Sequence, residues 1–157
     1  MAAWQYTVYI VPKKEGEEKY GVSCKVIEKE FLENYAGWQS YPQAKVTQLL
    51  SIGYGSPQTA SYGPVLFGND DSSCVMLITK GNVLEDITIR LDLRDEVKFQ
   101  IETLLELCYL LDGVFVSPDL DVFECKKDAL IDSIKESDAL KFAKDPRGFL
   151  DSMNQKP

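Results

Sequence analysis

An alternating run near the middle of the chain limits what this sequence can fold into. Ile87, Ile89, Leu91 and Leu93 alternate with Thr88, Arg90, Asp92 and Arg94, so an extended backbone puts four aliphatic side chains on one face and the polar ones on the other. This is the pattern of a half-buried strand. The preceding apolar run, Val75 to Ile78, ends at Lys80-Gly81-Asn82, where Gly and Asn tolerate the positive φ of a tight reversal, so the two runs are expected to pair as an antiparallel hairpin. After Arg94 the period changes. Val97, Ile101, Leu104, Leu105, Cys108 and Leu111 recur at steps of three and four, which predicts a helix over 95–111 whose apolar stripe lies on the hairpin. Asp95 or Glu96 falls in its expected first turn, where negative charge suits the helix dipole.

The flanking segments extend this nucleus. Trp4, Tyr6, Val8 and Ile10 share one face of a β-prone opening, closed by Pro12, and predict a strand over 4–11. A charged loop over 13–19 and a short strand over 20–26 are expected next. Ile27, Phe31, Tyr35 and Trp38 follow at helical spacing, with Gly37 as the end signal. Gln43 to Leu50 suits one or two helical turns. The Gly- and Pro-punctuated region beyond it predicts loops around a short strand at 62–67. After Leu111, Asp112-Gly113 offers a helix stop in which Gly takes the left-handed cap. Short extended pieces are expected at 114–116 and 122–123, on either side of a Ser117-Pro118-Asp119 turn. Asp128 is a candidate N-cap for a helix bearing Leu130, Ile131 and Ile134; Ser137 with Asp138 can cap another bearing Leu140 and Phe142, and Phe149 and Leu150 sit in a last turn. The expected fold is α+β: a single domain over 1–157, with an antiparallel sheet built on the central hairpin, the long helix on one face and further helices at the C-terminus.

Composition narrows the function classes. A chain of 157 residues with 45% hydrophobic and 11% aromatic residues suits one packed domain and argues against disorder. No apolar run approaches the roughly 20 residues that cross a bilayer, and the N-terminus lacks the pattern of a signal peptide, so a cytoplasmic protein with no membrane partner is expected. The net charge of −8, from 17 basic and 25 acidic residues, disfavours nucleic acid and favours basic partners. Histidine is absent, which removes Ser-His and Cys-His nucleophile pairs. No phosphate loop exists either: Gly53-Tyr54-Gly55 is followed by SPQT. Cys24, Cys74, Cys108 and Cys125 form no C-x-x-C pair, so they are expected as reduced, mostly buried thiols, with no metal and no cofactor.

What remains is acidic and aromatic. The pairs Asp70-Asp71 and Asp119/Asp121 lie in polar, turn-like settings where carboxylates stay solvated and make poor acids, so an Asp-dependent hydrolase ranks last and a nonenzymatic role is expected. Neither stretch continues as an EF-hand loop. Arg90, Asp92 and Arg94 suit ion pairs on a wet sheet face. Glu102 and Glu106 stand one helical turn apart and repel each other; with Asp70, Asp71, Asp119 and Asp121 they compose a candidate negative binding surface. The loop 53–67, with Tyr54, Tyr62 and Phe67, is the alternative: an adaptor surface, or simply packing over one end of the sheet. In size, acidity, lack of histidine and order of elements, the chain resembles the immunity proteins of bacterial polymorphic and contact-dependent toxin systems. The resemblance implies a noncatalytic protein that covers and neutralises a cognate toxin, often a basic nuclease.

Overall fold

Every strand of the sheet is paired antiparallel, and the N-terminal strand lies inside the sheet. The computed structural model describes residues 3–13, 37–59, 64–69 and 71–145. Among them the elements run β1 (Gln5–Pro12), α1 (Gln43–Tyr54), β2 (Gln58–Thr59), β3 (Val65–Gly68), β4 (Cys74–Lys80), β5 (Val83–Asp92), α2 (Lys98–Leu110), β6 (Gly113–Val116), β7 (Val122–Phe123), α3 (Lys127–Lys135) and α4 (Asp138–Lys144). The strand order is β2-β3-β4-β5-β1-β6-β7. This is the α+β fold that the periodicities predict. The expected strand at 20–26, most of the helix at 27–38 and the last turn at 149–150 lie outside the described residues.

The central hairpin forms as its alternation requires. Lys80 pairs with Val83 and Val75 with Ile89, and Gly81 takes φ +61°, as a type II′ turn demands of its first central residue. Ile87, Ile89 and Leu91 are completely buried. They meet Tyr6, Val8 and Ile10 of β1, Phe67 of β3 and Phe115 of β6 in one apolar layer. α2 covers that layer with Ile101, Leu104, Leu107 and Cys108, flanked by α1 on one side and α3 on the other. The helix begins at Lys98, later than its expected start at 95, and no acidic residue occupies its first turn. Asp95 and Glu96 are therefore outside the helix.

Three local expectations give way to packing. Trp38 is extended, not helical: it bridges Leu84 by two backbone hydrogen bonds of 2.8 and 2.9 Å, and its Nε1 donates to Leu111 O at 2.8 Å. The stop after α2 is made by Asp112 at φ +49°, while Gly113 already belongs to β6. Its lack of a side chain serves close approach, since a Cβ there would sit 2.6 Å from Ile10 Cγ2. Within the expected loop at 53–67, the described residues include the end of α1 at Tyr54 and the strands β2 and β3, which pair at the sheet edge.

The second face of the sheet is not the wet surface expected from Arg90, Asp92 and Arg94. Val11, Val114, Val116 and Val122 form a separate buried cluster there, and Asp92 is only 1% exposed. Its carboxylate accepts from Arg94 N at 3.1 Å, Nε at 3.0 Å and Nη2 at 2.7 Å. These bonds hold the Asp92 carboxyl below its ordinary pKa. The Arg94 guanidinium lies 3.9 Å over the Trp4 ring, which stacks on Phe142 of α4. The intrastrand ion pair is thus formed, but with one partner buried.

Candidate acidic cleft

The pairing of β1 with β6 sets Gln5, Tyr6 and Thr7 beside the turn that joins β6 to β7, and α3 and α4 close over them. The result is a cavity of about 270 Å³. Its wall begins with the turn. Ser117 N donates to Asp121 O at 2.9 Å, Leu120 N donates to Ser117 O at 3.0 Å, and Ser117 Oγ accepts from Asp121 N at 3.0 Å. This tight wrap holds Leu120 at φ +67°, a conformation that branched side chains rarely adopt, and points Asp119 and Asp121 at the cavity.

The opposite wall is helical. Ser137 is the N-cap of α4: its Oγ accepts from Leu140 N at 3.2 Å and donates to Ile134 O at 2.6 Å. That capping turn sets Glu136 and Asp138 on the same cavity, while Asp138 also reaches Lys141 at 3.9 Å. Ser133 of α3 shares a hydrogen bond of 2.6 Å with Tyr6 Oη across the floor. Burial pushes the Tyr6 phenol up to about 12; the Ser133 bond lowers it and the charge of Asp119 raises it. The hydroxyl therefore stays protonated at neutral pH and serves as a hydrogen-bonding group, not as a base.

Chemically, the cleft offers negative charge and hydroxyl groups. Four carboxylates, Asp119, Asp121, Glu136 and Asp138, line it together with Ser117, Ser133 and Ser137, and no described Lys or Arg does. Its volume falls just below the roughly 300–1,000 Å³ of small-molecule sites, which suits a cationic side chain inserted from outside. Gln5, Thr7 and Ser117, at 4–5% exposure, make its base rigid.

Of the acidic residues singled out from sequence, the structure brings together Asp119 and Asp121. Asp71 is exposed on the β3–β4 turn, and Glu102 and Glu106 stand on the outer face of α2; none of them lines the cleft. Asp70 and Tyr62 lie outside the described residues. Tyr54 ends α1 with its ring against Gly68, and its buried Oη finds no hydrogen-bond partner among the described residues; burial pushes its phenol upward. Phe67 is 1% exposed. Phe67 is part of the buried core, and Tyr54 packs against it. Sequence reading missed Glu136, Ser133 and Tyr6, and took Ser137 and Asp138 only as a helix cap.

Among the described residues, no three of Cys, Asp and Glu converge as a metal-holding group, and no helix is long and apolar enough to cross a membrane. No family model, curated protein or solved structure matches the chain.

Proposed function

We propose that this chain is a noncatalytic, cytoplasmic binding protein that covers a basic surface of a protein partner, as immunity proteins do for bacterial toxins. The observation that supports the reading is the cleft: four carboxylates and three serine hydroxyls around one cavity, with no described cation on its lining. A Lys or Arg side chain seated there exchanges water for several carboxylates at once. Mutual repulsion among those carboxylates is relieved by such a partner, and charge complementarity accelerates the encounter. The aromatic alternative loses support because Phe67 is in the core and Tyr54 is packed on Gly68.

The test uses the product of the gene beside this one, or an arginine-rich peptide as a generic basic probe. Asp119→Asn, Asp121→Asn, Glu136→Gln and Asp138→Asn together halve the net charge of −8 without changing shape. Stopped-flow association is expected to slow about tenfold or more and to lose most of its salt dependence. The pair Glu102→Gln and Glu106→Gln, outside the cleft, should slow it far less. An association rate unmoved by the four amides, or moved equally by the α2 pair, refutes the assignment to the cleft.

A further inference from the structure

A second cavity, of about 500 Å³, opens at the C-terminal end of α2 and is lined by two cysteines, Cys108 and Cys125. They are 17 positions apart in sequence and meet because β6 and β7 fold back as a hairpin beside the last turn of α2. Both thiols line the one cavity, and Cys125 Sγ donates to Leu105 O at 3.4 Å, on the same stretch of α2 that carries Cys108. Cys108 is completely buried and helical, whereas Cys125 is half-buried in the short connection between β7 and α3. Lys13 and Lys126 share the cavity wall with them. One sulfur is thus fixed and the other is carried on a connecting segment open to solvent, so that closing to the S–S length of about 2.05 Å falls on the segment and not on the helix.

We propose that Cys108 and Cys125 are a redox-active dithiol that closes reversibly to an intramolecular disulfide by exchange with a small-molecule disulfide entering this cavity. Cys125 is the attacking thiol. Its thiolate, having released its proton to solvent, attacks one sulfur of the reagent R–S–S–R; the S–S bond breaks and RS⁻ leaves, taking up a proton as RSH. Cys108 then loses its proton and attacks Cys125 Sγ in the mixed disulfide, expelling the second RSH. Two electrons pass from the protein thiols to the reagent, and the same steps reversed restore the dithiol. The asymmetry of the pair fits these roles: Cys108 is fully buried and Cys125 half-buried, and the proximity of the two pushes the Cys108 thiol upward and the Cys125 thiol downward. This inference is independent of the acidic cleft.

The experiment equilibrates the full chain with mixtures of oxidised and reduced glutathione, blocks free thiols with iodoacetamide, and maps the peptides by mass spectrometry. The wild type is expected to give a 108–125 cross-linked pair lighter by two hydrogens, reversed by dithiothreitol, with Cys74 alkylated only on unfolding. In Cys108→Ser, a stable glutathione adduct should accumulate on Cys125; in Cys125→Ser, Cys108 should take up none. Reduced wild type should also bind phenylarsine oxide, which needs two adjacent thiols, and either serine variant should lose that binding. A wild-type map in which no 108–125 cross-link forms at any point of the redox range, both cysteines being alkylated once the protein is unfolded, overturns the proposal. So does a Cys125 adduct that persists with Cys108 present. Both of these decisive readings come from the wild type and hold even if a serine variant fails to fold.

Discussion

Taking one oxygen from Tyr6 produces a stability difference that changes sign with pH. Tyr6→Phe keeps the ring and deletes the 2.6 Å bond between Oη and Ser133 Oγ. Ser133 is half-buried and can turn to water, so the loss at neutral pH is that of one hydroxyl bond, about 1 kcal/mol. In alkali the balance reverses. The Tyr6 side chain is 1% exposed and its pKa is pushed up to about 12 by burial, against an ordinary value of about 10 in the unfolded chain. Between those values the folded state holds the proton that the unfolded state has released, so stability is full below pH 10 and falls as pH rises. The slope is about 1.4 kcal/mol per pH unit, giving a loss of about 3 kcal/mol by the upper end. Phenylalanine has nothing to lose. The wild type should therefore lead by about 1 kcal/mol at neutral pH, draw level about 0.7 pH units above 10, and trail by about 2 kcal/mol near the top of the range. Tyr54, also raised by burial, titrates in both proteins and cancels in the difference. Urea melts followed by circular dichroism, taken from neutral pH into alkali, measure the gap directly. A gap that stays constant with pH refutes the burial of this hydroxyl and removes the floor of the acidic cleft. Asp119→Asn should lower the Tyr6 titration seen by tyrosinate absorbance, because the Asp119 charge raises it.

Three further outcomes are expected. Leu107→Ala, at 0% exposure, should cost about 3–5 kcal/mol in denaturant melts and Ile101→Ala, at 8%, about 2–3; the reverse order means that the stripe of α2 is rotated from its observed position. Gly113→Ala, whose new Cβ would lie 2.6 Å from Ile10 Cγ2, should destabilise by about 1–3 kcal/mol through overpacking, and a loss below about 0.5 kcal/mol contradicts the close approach of β6 to β1. Asp92 has its carboxyl lowered by the Arg94 bonds, so its contribution is present above about pH 4 and lost as pH falls through its folded value. The advantage of wild type over Asp92→Asn should accordingly shrink in acid, and an advantage that grows there refutes the pairing.

The elements legible in the sequence are those whose signals are local. The β4–β5 hairpin declares itself by alternation and by Gly81, and α2 by a stripe repeated over three turns. Features that depend on strand order are not written locally. Tyr6 reads as a core residue by parity, and only the pairing of β1 with β6 sets it within reach of Ser133, 127 positions away. Asp92 alternates onto the polar face and is nonetheless buried, since Arg94, held over the Trp4 ring, folds back onto its carboxylate. Tyr54 sits between two glycines that read as loop punctuation. Gly53, however, lies where α1 crosses α2, and a Cβ there would meet Thr103 at 3.2 Å, so the glycine permits helix contact and does not end the helix. Cys108 and Cys125 show no motif because no short spacing unites them.

The interior position of β1 also sets an order of assembly. Its partners are β5, centred some 80 residues onward, and β6, further still, whereas β4, β5 and α2 are near neighbours along the chain. The first strand can join the hairpin once β5 has emerged, but its other edge stays open until Gly113–Val116 follows, because it is the seam between a four-stranded half and a two-stranded half. Long-range pairings of this kind slow folding and leave strand edges open in the meantime. A nascent chain of this protein therefore carries the strand Gln5–Pro12 with one edge open until β6 has been made.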